Sequence, residues 1–316
     1  MYDVVALGEL LIDFTCTATD ADGYPIMAAH PGGAPANFLA ALAKFGARAA
    51  MLGKVGADTF GRLLCGTLAQ AGIGTEGMVR SGDVFTTLAF VTLDASGDRE
   101  FSFSRKPGAD TQLRWEEVNK KLIDETKILH FGTLSLTDEP ARGATYAAVD
   151  YARQAGKLVT FDPNLRKPLW RDLADAKREM LWGLSVADVV KISDEEVEFL
   201  WGITPQEGAE KILRETGVQL VFVTCGKDGC WYQNRQAAGH ADSLAGVQVK
   251  DTTGAGDIFG GSAVYQLLQT GKAPEDLTDA ELAHITRFAC VSAGLSTTRA
   301  GGISSVPELA DVLAAM

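Results

Sequence analysis

The chain has 316 residues, of which 46% are hydrophobic and 22% charged, and its formal net charge is -12. This length and apolar content suffice for one large α/β core and exclude disordered and fibrous proteins. A surface with this much negative charge repels phosphodiester backbones, so we expect no nucleic-acid partner.

Short apolar runs alternate with helical patterns along most of the chain, and this order predicts βαβ units. The predicted strands are Val4–Ala6, Ala49–Leu52, Lys127–Phe131, Leu158–Phe161, Val189–Ile192 and Val221–Val223. The predicted helices include Ala36–Phe45, Ala144–Gln154 and Ala174–Leu184. We therefore expect a mainly parallel sheet with helices on both faces and right-handed crossovers.

Two segments interrupt this order, namely Thr15–His30 and Thr86–Phe103. The second alternates with a period of two residues and predicts an antiparallel hairpin around the turn Ala95-Ser96-Gly97-Asp98. Strands without helices of their own predict a small separate sheet. This sheet would serve either as a flap over a site or as a hairpin at the edge of the main sheet.

A glycine cluster, Pro31-Gly32-Gly33-Ala34-Pro35-Ala36-Asn37, precedes the first long helical pattern. Such a tight turn admits a polar ligand close to a helix start, where the Asn37 amide offers both a donor and an acceptor to a hydroxyl. The alternative is an ordinary loop that starts a helix.

A second glycine turn, Asp251-Thr252-Thr253-Gly254-Ala255-Gly256-Asp257, opens another helical pattern. Its glycines let the backbone approach a ligand, and the free N–H groups at a helix start favour an anion such as a transferring phosphoryl group. Asp257 beside that anion is then suited to accept a proton from a hydroxyl nucleophile. The alternative is an ordinary first-turn aspartate that stabilises the helix.

Two common nucleotide-binding fingerprints are missing. Each Gly-Lys pair, at 53–54, 226–227 and 271–272, lacks the Ser or Thr that a P-loop requires next. Gly254, Gly256 and Gly260 are spaced G-x-G-x-x-x-G, which does not fit the dinucleotide pattern. These observations exclude a standard P-loop enzyme and argue against a dehydrogenase.

Cysteine usage indicates the cellular compartment. The five cysteines lack CxxC spacing and are Cys16, Cys65, Cys225, Cys230 and Cys290. An odd, scattered set predicts reduced thiols rather than a disulfide framework or a zinc site. The first apolar run is too short for a signal peptide, and no run approaches the length of a membrane span. We therefore expect a cytoplasmic protein without a membrane partner.

Three motifs make the chain resemble a known family. GELLIDF at Gly8–Phe14, the stretch from Pro31 to Gly61 that begins PGGAPANF, and DTTGAGDIFGG at Asp251–Gly261 resemble the ribokinase-like (PfkB) carbohydrate kinases. The similarity extends from Gly8 to Pro307 with the motifs in family order. FSFSRKPGAD, FDPNLR and KISDEEVEFLWG are most similar to fructokinases. The resemblance implies a three-layer α/β/α fold with a small β lid.

The same resemblance implies roles for individual residues in an ATP-dependent sugar kinase. Asp257 would be the catalytic base, and Gly254, Ala255 and Gly256 would form an anion hole for the transferred phosphoryl group. The expected sugar-binding residues are Asp13, Gly32, Gly33 and Asn37. Arg105 would lie near the substrate or the transferred phosphate, and Arg166 is a second candidate cation.

The nucleotide and cation sites are implied in the same way. ATP would bind near Lys191, Thr224, Gly226 and Gly229, and Glu196 would act on Mg²⁺ through water. Ser193 stands where the family commonly has Asn, which departs from the Mg²⁺ pattern. A K⁺ site would use positions matching Asp251, Thr253, Ser296, Gly301 and Ser305.

We expect one kinase domain over residues 1–316, with a lid formed by about 14–30 and 84–106. Lid sheets of this family often pair between subunits, so we expect a homodimer, with Leu88, Phe90 and Val91 exposed. Fructose, giving fructose 6-phosphate, is the expected substrate, and 2-keto-3-deoxygluconate, ribose or a nucleoside are the alternatives. A non-catalytic sugar or nucleotide sensor is a different class, and the intact Asp257 argues against it.

Overall fold

The structure is a computed structural model that describes residues 1–93 and 99–316, without the side chains of residues 92, 93 and 99–101. Its strands are β1 Val4–Leu7, β2 Leu11–Thr19, β3 Pro25–Gly32, β4 Ala49–Gly56, β5 Ile73–Ser81, β6 Leu88–Leu93, β7 Arg99–Ser104, β8 Ile128–Gly132, β9 Leu158–Asp162, β10 Val189–Ser193, β11 Leu220–Thr224, β12 Cys230–Asn234 and β13 Ala238–Ala241.

The helices alternate with these strands. They are α1 Ala34–Lys44, α2 Thr59–Gln70, α3 Lys120–Asp124, α4 Ala141–Gln154, α5 Leu173–Val186, α6 Asp194–Trp201, α7 Pro205–Glu215, α8 Ala255–Thr270, α9 Asp279–Ser296 and α10 Leu309–Ala314. Short 3₁₀ turns occur at Ala109–Gln112, Trp115–Glu117, Leu134–Leu136, Lys167–Leu169, Gly226–Asp228, Pro274–Asp276 and Ile303–Ser305.

The main sheet has nine strands in the order β13-β12-β11-β10-β9-β8-β1-β4-β5. Every neighbouring pair from β11 to β5 is parallel, whereas β12 and β13 add antiparallel strands at one edge. Each of the six strands predicted from apolar runs is present. The prediction of a mainly parallel sheet is therefore confirmed.

Apolar cores lie on both faces of this sheet and account for the layered fold. One core contains the alternate strand residues Leu129, Val159 and Val190 with α4, α5 and α7 side chains. On the opposite face, α1 and α8 side chains pack on strand residues such as Val4 and Ile128. Strands buried on both faces read as continuous apolar runs, which is why they could be recognised in the sequence.

A second sheet of four strands has the order β3-β2-β6-β7. The pairs β2/β3 and β6/β7 are antiparallel, and β2 pairs with β6 in parallel. The turn expected at Ala95-Ser96-Gly97-Asp98 lies outside the described residues. The two interrupting segments therefore form one separate sheet.

The expected exposure of three residues on this sheet was wrong. Leu88, Phe90 and Val91 are half-buried. Phe90 stacks on Phe14 with ring centroids 5.4 Å apart, because the apolar face of the sheet packs towards helix α2 through the Phe14–Phe60 contact.

Strands β5, β12 and β13, which lie at or next to the edges of the main sheet, were not predicted from the sequence. Strand β5 carries Gly74, Gly77 and several polar residues, and β13 is only four residues long. Edge strands bury less surface, so their apolar pattern is weak. Among the helices of the described residues, none combines the length and apolar character needed to cross a membrane.

Candidate active site

A cavity of about 620 Å³ opens at the carboxyl ends of the parallel strands, beside the small sheet. Open parallel sheets bind ligands at this edge because the loops that follow successive strands converge there. Of the predicted site residues, the lining includes Asp13, Gly33, Asn37, Arg166, Asp251, Thr253, Gly254, Asp257 and Gly301. The structure thus brings together residues from both glycine motifs, which are more than 200 positions apart.

The amino end of helix α8 forms one wall of the cavity. Its N-cap residue, Gly254, has φ 76°, a left-handed conformation that glycine adopts at little cost. A Cβ atom at this position would lie 2.9 Å from the Cα of Gly302, so close approach also requires glycine. Ala255 and Gly256 follow in the first turn without lining the cavity. A helix start of this kind presents backbone N–H groups to an anion.

Asp257 lies in the same first turn, is buried, and lines the cavity. The Nδ2 atom of Asn37 donates a hydrogen bond of 2.9 Å to its Oδ2 atom. Within the described residues, the buried Oδ1 atom of Asn37 has no hydrogen-bond partner. Asn37 therefore orients the Asp257 carboxylate and keeps one acceptor for a hydroxyl of a ligand.

Burial raises the pKa of Asp257 above its usual value. The hydrogen bond from Asn37 and the positive charges of Lys191 and Arg166 act in the opposite direction. A carboxylate with a raised pKa is a better proton acceptor than an exposed one. Asp257 thus has the position and the electrostatic surroundings of a general base.

Asp13 reaches the cavity from strand β2, opposite helix α8. Burial raises its pKa to about 6, with the charge of Arg166 opposing and that of Asp257 adding to the shift. Gly32 does not line the cavity, but a side chain there would collide with the Asp13 carboxylate. These positions fit hydroxyl recognition, since a carboxylate accepts hydrogen bonds from a polyol.

Glu9, which the sequence analysis missed, is a buried carboxylate that lines the cavity. Its Oε1 atom accepts a 2.9 Å hydrogen bond from the N–H of Ala34, the first residue of helix α1. A Cβ on Gly33, whose φ is 124°, would lie 2.5 Å from the Glu9 carbonyl oxygen. Glu9 therefore shapes the Gly32-Gly33 turn. Its position two residues after the end of strand β1 was the available signal.

Replacing Glu9 by glutamine is expected to change how stability depends on pH. Burial raises the pKa of Glu9 from 4.5 to about 7, so between these values the folded protein binds more protons there than the unfolded chain. The free energy of unfolding contributed by Glu9 therefore falls as the pH rises. Glutamine removes this dependence, so the Tm of Glu9→Gln should rise relative to that of the wild type from pH 4.5 to pH 8. The corresponding change in the relative free energy of unfolding is about 3 kcal/mol at most.

Glu281 provides the control for that measurement. Lys272 and Thr278 lower the pKa of this half-buried glutamate to about 2, so its contribution is present above the unfolded value of 4.5 and is lost only as the pH falls further. The difference in Tm between Glu281→Gln and the wild type should therefore stay constant from pH 4.5 to pH 8. A constant difference for Glu9→Gln as well would contradict the raised pKa.

The two predicted arginines differ in their surroundings. Arg166 is exposed and lines the cavity, close enough to affect the pKa values of Asp13 and Asp257. Arg105 is buried, and its guanidinium pairs with Asp110 at 2.7 Å and donates to the Leu134 carbonyl oxygen at 2.7 Å. Arg105 does not line the cavity, so the structure places it behind the wall.

The ammonium group of Lys191 lies close to the glycine turn at the amino end of helix α8. A Cβ on Gly256 would be 3.1 Å from its Nζ atom, and that atom pairs with Asp162 at 3.0 Å. Burial disfavours the charged amine, but the carboxylates of Asp162, Glu196 and Asp257 raise the pKa of Lys191. The structure therefore places a largely buried ammonium, on a side chain that is 12% exposed, close to the expected anion hole.

The carboxylate of Glu196 accepts hydrogen bonds from two separate backbone segments. Its Oε2 atom accepts a hydrogen bond from the N–H of Ser193 in a capping box, and its Oε1 atom accepts one of 2.7 Å from the N–H of Leu165. Ser193 completes the capping box with its hydroxyl, which accepts from the N–H of Glu196. The serine that departs from the family pattern thus caps helix α6.

The predicted nucleotide residues Thr224, Gly226 and Gly229 lie at and beyond the end of strand β11, outside the cavity lining. Thr224 pairs in register with Ser193 on β10. The three predicted nucleotide residues therefore lie at the same edge of the sheet as Lys191. Gly226 is the first residue of a 3₁₀ turn and Gly229 follows that turn, with φ values of 54° and 88°.

The predicted K⁺ residues are partly connected to one another. The Asp251 carboxylate accepts hydrogen bonds from the N–H of Thr253 and the N–H of Gly301, both 2.9 Å long. The Ser305 hydroxyl donates to the Gly302 carbonyl oxygen at 2.8 Å, and that of Ser296 donates to the Ala293 carbonyl oxygen at 2.7 Å. The first three residues form one loop cluster beside helix α8.

Comparisons with known proteins identify the family of the chain. Residues 1–309 match the family described as pfkB family carbohydrate kinase. A protein named probable fructokinase-4 from Arabidopsis thaliana is 40% identical over 98% of this chain and 95% of its own length.

Solved structures show the same fold. A fructokinase with bound ATP from Xylella fastidiosa is 32% identical with a TM-score of 0.91, over 99% of this chain and 98% of that one. A double-mutant fructokinase from Vibrio cholerae O395, bound to fructose, ADP and potassium ion, is 30% identical with a TM-score of 0.87, over 99% and 98% of the two chains. The predicted ribokinase-like fold is confirmed, and the chain belongs to the pfkB family of carbohydrate kinases.

Proposed function

We propose that this kinase is a fructokinase that transfers the γ-phosphoryl group of ATP to a hydroxyl of fructose, giving fructose 6-phosphate. The observation that carries the proposal is the buried Asp257 carboxylate, held by Asn37 beside the glycine turn of helix α8. The choice of fructose is supported by fructokinases among both the sequence relatives and the structural neighbours.

The reaction needs a base, an anion site and sugar contacts, and the cavity has a candidate for each. Asp257 would accept the proton of the sugar hydroxyl as its oxygen bonds to the γ-phosphorus and the bond from that phosphorus to the β–γ bridging oxygen breaks, releasing ADP. The N–H groups of Gly254, Ala255 and Gly256, with Lys191, would stabilise the developing charge. Asp13, Gly33 and Asn37 would hold the remaining hydroxyls.

Both predicted cations have residues that fit them. Glu196 is a buried carboxylate at the same sheet edge as Lys191, which suits contact with a hydrated Mg²⁺. Glu196 would hold the ion through water, and the bound Mg²⁺ would supply positive charge that offsets the charge of the ATP phosphates. The loop cluster of Asp251, Thr253 and Gly301 offers carboxylate, hydroxyl and carbonyl oxygens, which are the donors that K⁺ requires.

The small sheet would act as a lid that closes over the sugar and excludes water. It contributes Leu11, Asp13, Thr15 and His30 to the cavity lining, which supports this role. Its exposed residues Tyr24 and Ile26 support the proposal that two lids pair in a homodimer. A cytoplasmic location stays a prediction.

The proposal is tested by ATP-dependent turnover with Mg²⁺, with and without K⁺, on fructose, 2-keto-3-deoxygluconate, ribose, glucose and adenosine. We expect the highest kcat/KM for fructose. A higher value for another sugar would keep the kinase mechanism and overturn the substrate. Binding of sugar and ATP without turnover on any of these compounds would instead favour a sensor.

A further inference from the structure

We propose that Asp162 is a positioning residue with two roles. Its carboxylate holds the Lys191 ammonium close to the glycine turn of helix α8, and the same carboxylate stabilises the loop that carries Arg166. The inference rests on the proposed phosphoryl transfer and assigns a residue for which neither the motifs nor the relatives indicated a role. Asp162 is the last residue of strand β9 and is 5% exposed.

The first contact of Asp162 is with the buried ammonium. Its two carboxylate oxygens lie 3.2 and 3.0 Å from the Nζ atom of Lys191, which lies close to Gly256. A lysine side chain is long and flexible, and an ion pair of this geometry fixes where its charge lies. Because the charge of a transferred phosphoryl group develops at this helix end, the position of the ammonium affects the transition state.

The second contact of Asp162 is with the loop that follows it. Its Oδ1 atom accepts a 3.1 Å hydrogen bond from the N–H of Asn164, which forms an Asx turn. Asn164 has φ 46°, and it is the single residue other than glycine with a positive φ in the described chain. Two residues later, Arg166 lines the cavity beside Asn164. A strained turn of this kind persists because the surrounding contacts enforce it.

The groups around Lys191 set its pKa, so the effect of its pairing with Asp162 can be measured as a change in that pKa. The titratable groups that face it are Asp162 on β9, Glu196 on α6, Asp257 on α8, His130 on β8 and Cys230 on β12. Burial lowers the pKa of His130 to about 3 and raises the pKa of Cys230, so both groups are neutral. Removing the negative charge of Asp162 therefore leaves a buried ammonium with fewer opposite charges, and its pKa should fall.

Asp162→Asn separates the two contacts, since an asparagine oxygen still accepts from the N–H of Asn164 while the negative charge is lost. We expect kcat with fructose to fall roughly 10- to 100-fold because the ammonium is displaced, with KM for fructose nearly unchanged. Loss of activity at alkaline pH should begin at a lower pH than in the wild type. Asp162→Ala, which also removes the Asx turn, should raise KM for fructose several-fold in addition.

Asp188→Asn is the matched control. Asp188 is a half-buried aspartate before strand β10, at the opposite edge of the sheet, and accepts a 2.8 Å hydrogen bond from the N–H of Val159. Its replacement should lower Tm without moving the alkaline limb of kcat. Equal pH profiles for Asp162→Asn and the wild type, or a shifted profile in Asp188→Asn, would overturn the inference.

A second measurement separates this inference from the proposed function. The pKa of Lys191 can be followed by NMR in protein with isotope-labelled lysine, with Lys191→Arg used to assign the signal. We expect a lower pKa in Asp162→Asn, whether or not fructose is the substrate. An unchanged pKa would overturn the pairing role, whereas a lower pKa in an enzyme that phosphorylates another sugar would overturn the substrate alone.

Discussion

Replacing Asp257 by asparagine is expected to lower kcat with fructose by roughly 10³- to 10⁴-fold, because the amide cannot accept the proton of the sugar hydroxyl. Asparagine has nearly the same size and keeps an oxygen that can accept the 2.9 Å hydrogen bond from Asn37. The dissociation constants of fructose and ATP should therefore change little. Steady-state kinetics and calorimetric binding on the same preparation measure the two effects.

Asp279→Asn tests the alternative that Asp257 only stabilises its helix. Asp279 is also a first-turn aspartate, in helix α9, and its contact is a 3.1 Å hydrogen bond from the Tyr232 hydroxyl. Asp279→Asn removes a charge that favours a helix start, so it should lower Tm by a few degrees and leave turnover unchanged. If turnover fell equally in both variants, or if Asp257→Asn lost sugar binding together with kcat, the role of base would be rejected.

The parts of the fold that were predicted correctly are those in which burial dominates the sequence. Strands such as Val4–Leu7 and Leu220–Thr224 lie between helical layers and are therefore apolar over nearly their whole length. Edge strands such as Ala238–Ala241 are held by backbone hydrogen bonds with little burial, and these bonds leave no apolar pattern in the sequence. The hairpin that Thr86–Phe103 contributes to the small sheet could be predicted because this segment alternates with a period of two residues.

The candidate site divides in a similar way. The turns that contain Gly32, Gly33, Gly254 and Gly256 could be predicted because backbone conformation or close approach restricts these four positions to glycine. Glu9 and Asp162 could not, since a single acidic residue at or just after the end of a strand is also consistent with a solvent-exposed loop. Only the three-dimensional structure shows that both are buried and that their carboxylates hold backbone N–H groups.

Asn37 links the two glycine turns and the base. A side chain on Gly302 would collide with its amide, and a Cβ on Gly254 would lie 3.1 Å from its Nδ2 atom. The amide is thus held between two backbone segments and directed at Asp257. Because it has little room to move, a change of its chemistry at constant size acts directly on the base.

Asn37→Asp is expected to lower kcat/KM at pH 7 by on the order of 10²-fold, because two adjacent buried carboxylates cannot both be ionised at low cost. The substitution replaces a hydrogen bond that lowers the pKa of Asp257 with a repulsion that raises it. The acid limb of the kcat/KM profile should therefore move to higher pH, and activity should partly recover there.

Asn234→Asp is the control for burying a carboxylate at an asparagine position. The amide of Asn234 is also buried, and it donates to the Leu277 carbonyl oxygen at 2.9 Å, on strand β12 and away from the cavity lining. This variant should lose stability in thermal unfolding but keep the acid limb of the wild type. An unshifted acid limb in Asn37→Asp would show that the Asn37 amide does not control the protonation of Asp257, whereas the expected shift would identify the group that titrates in the profile as the carboxylate that Asn37 touches.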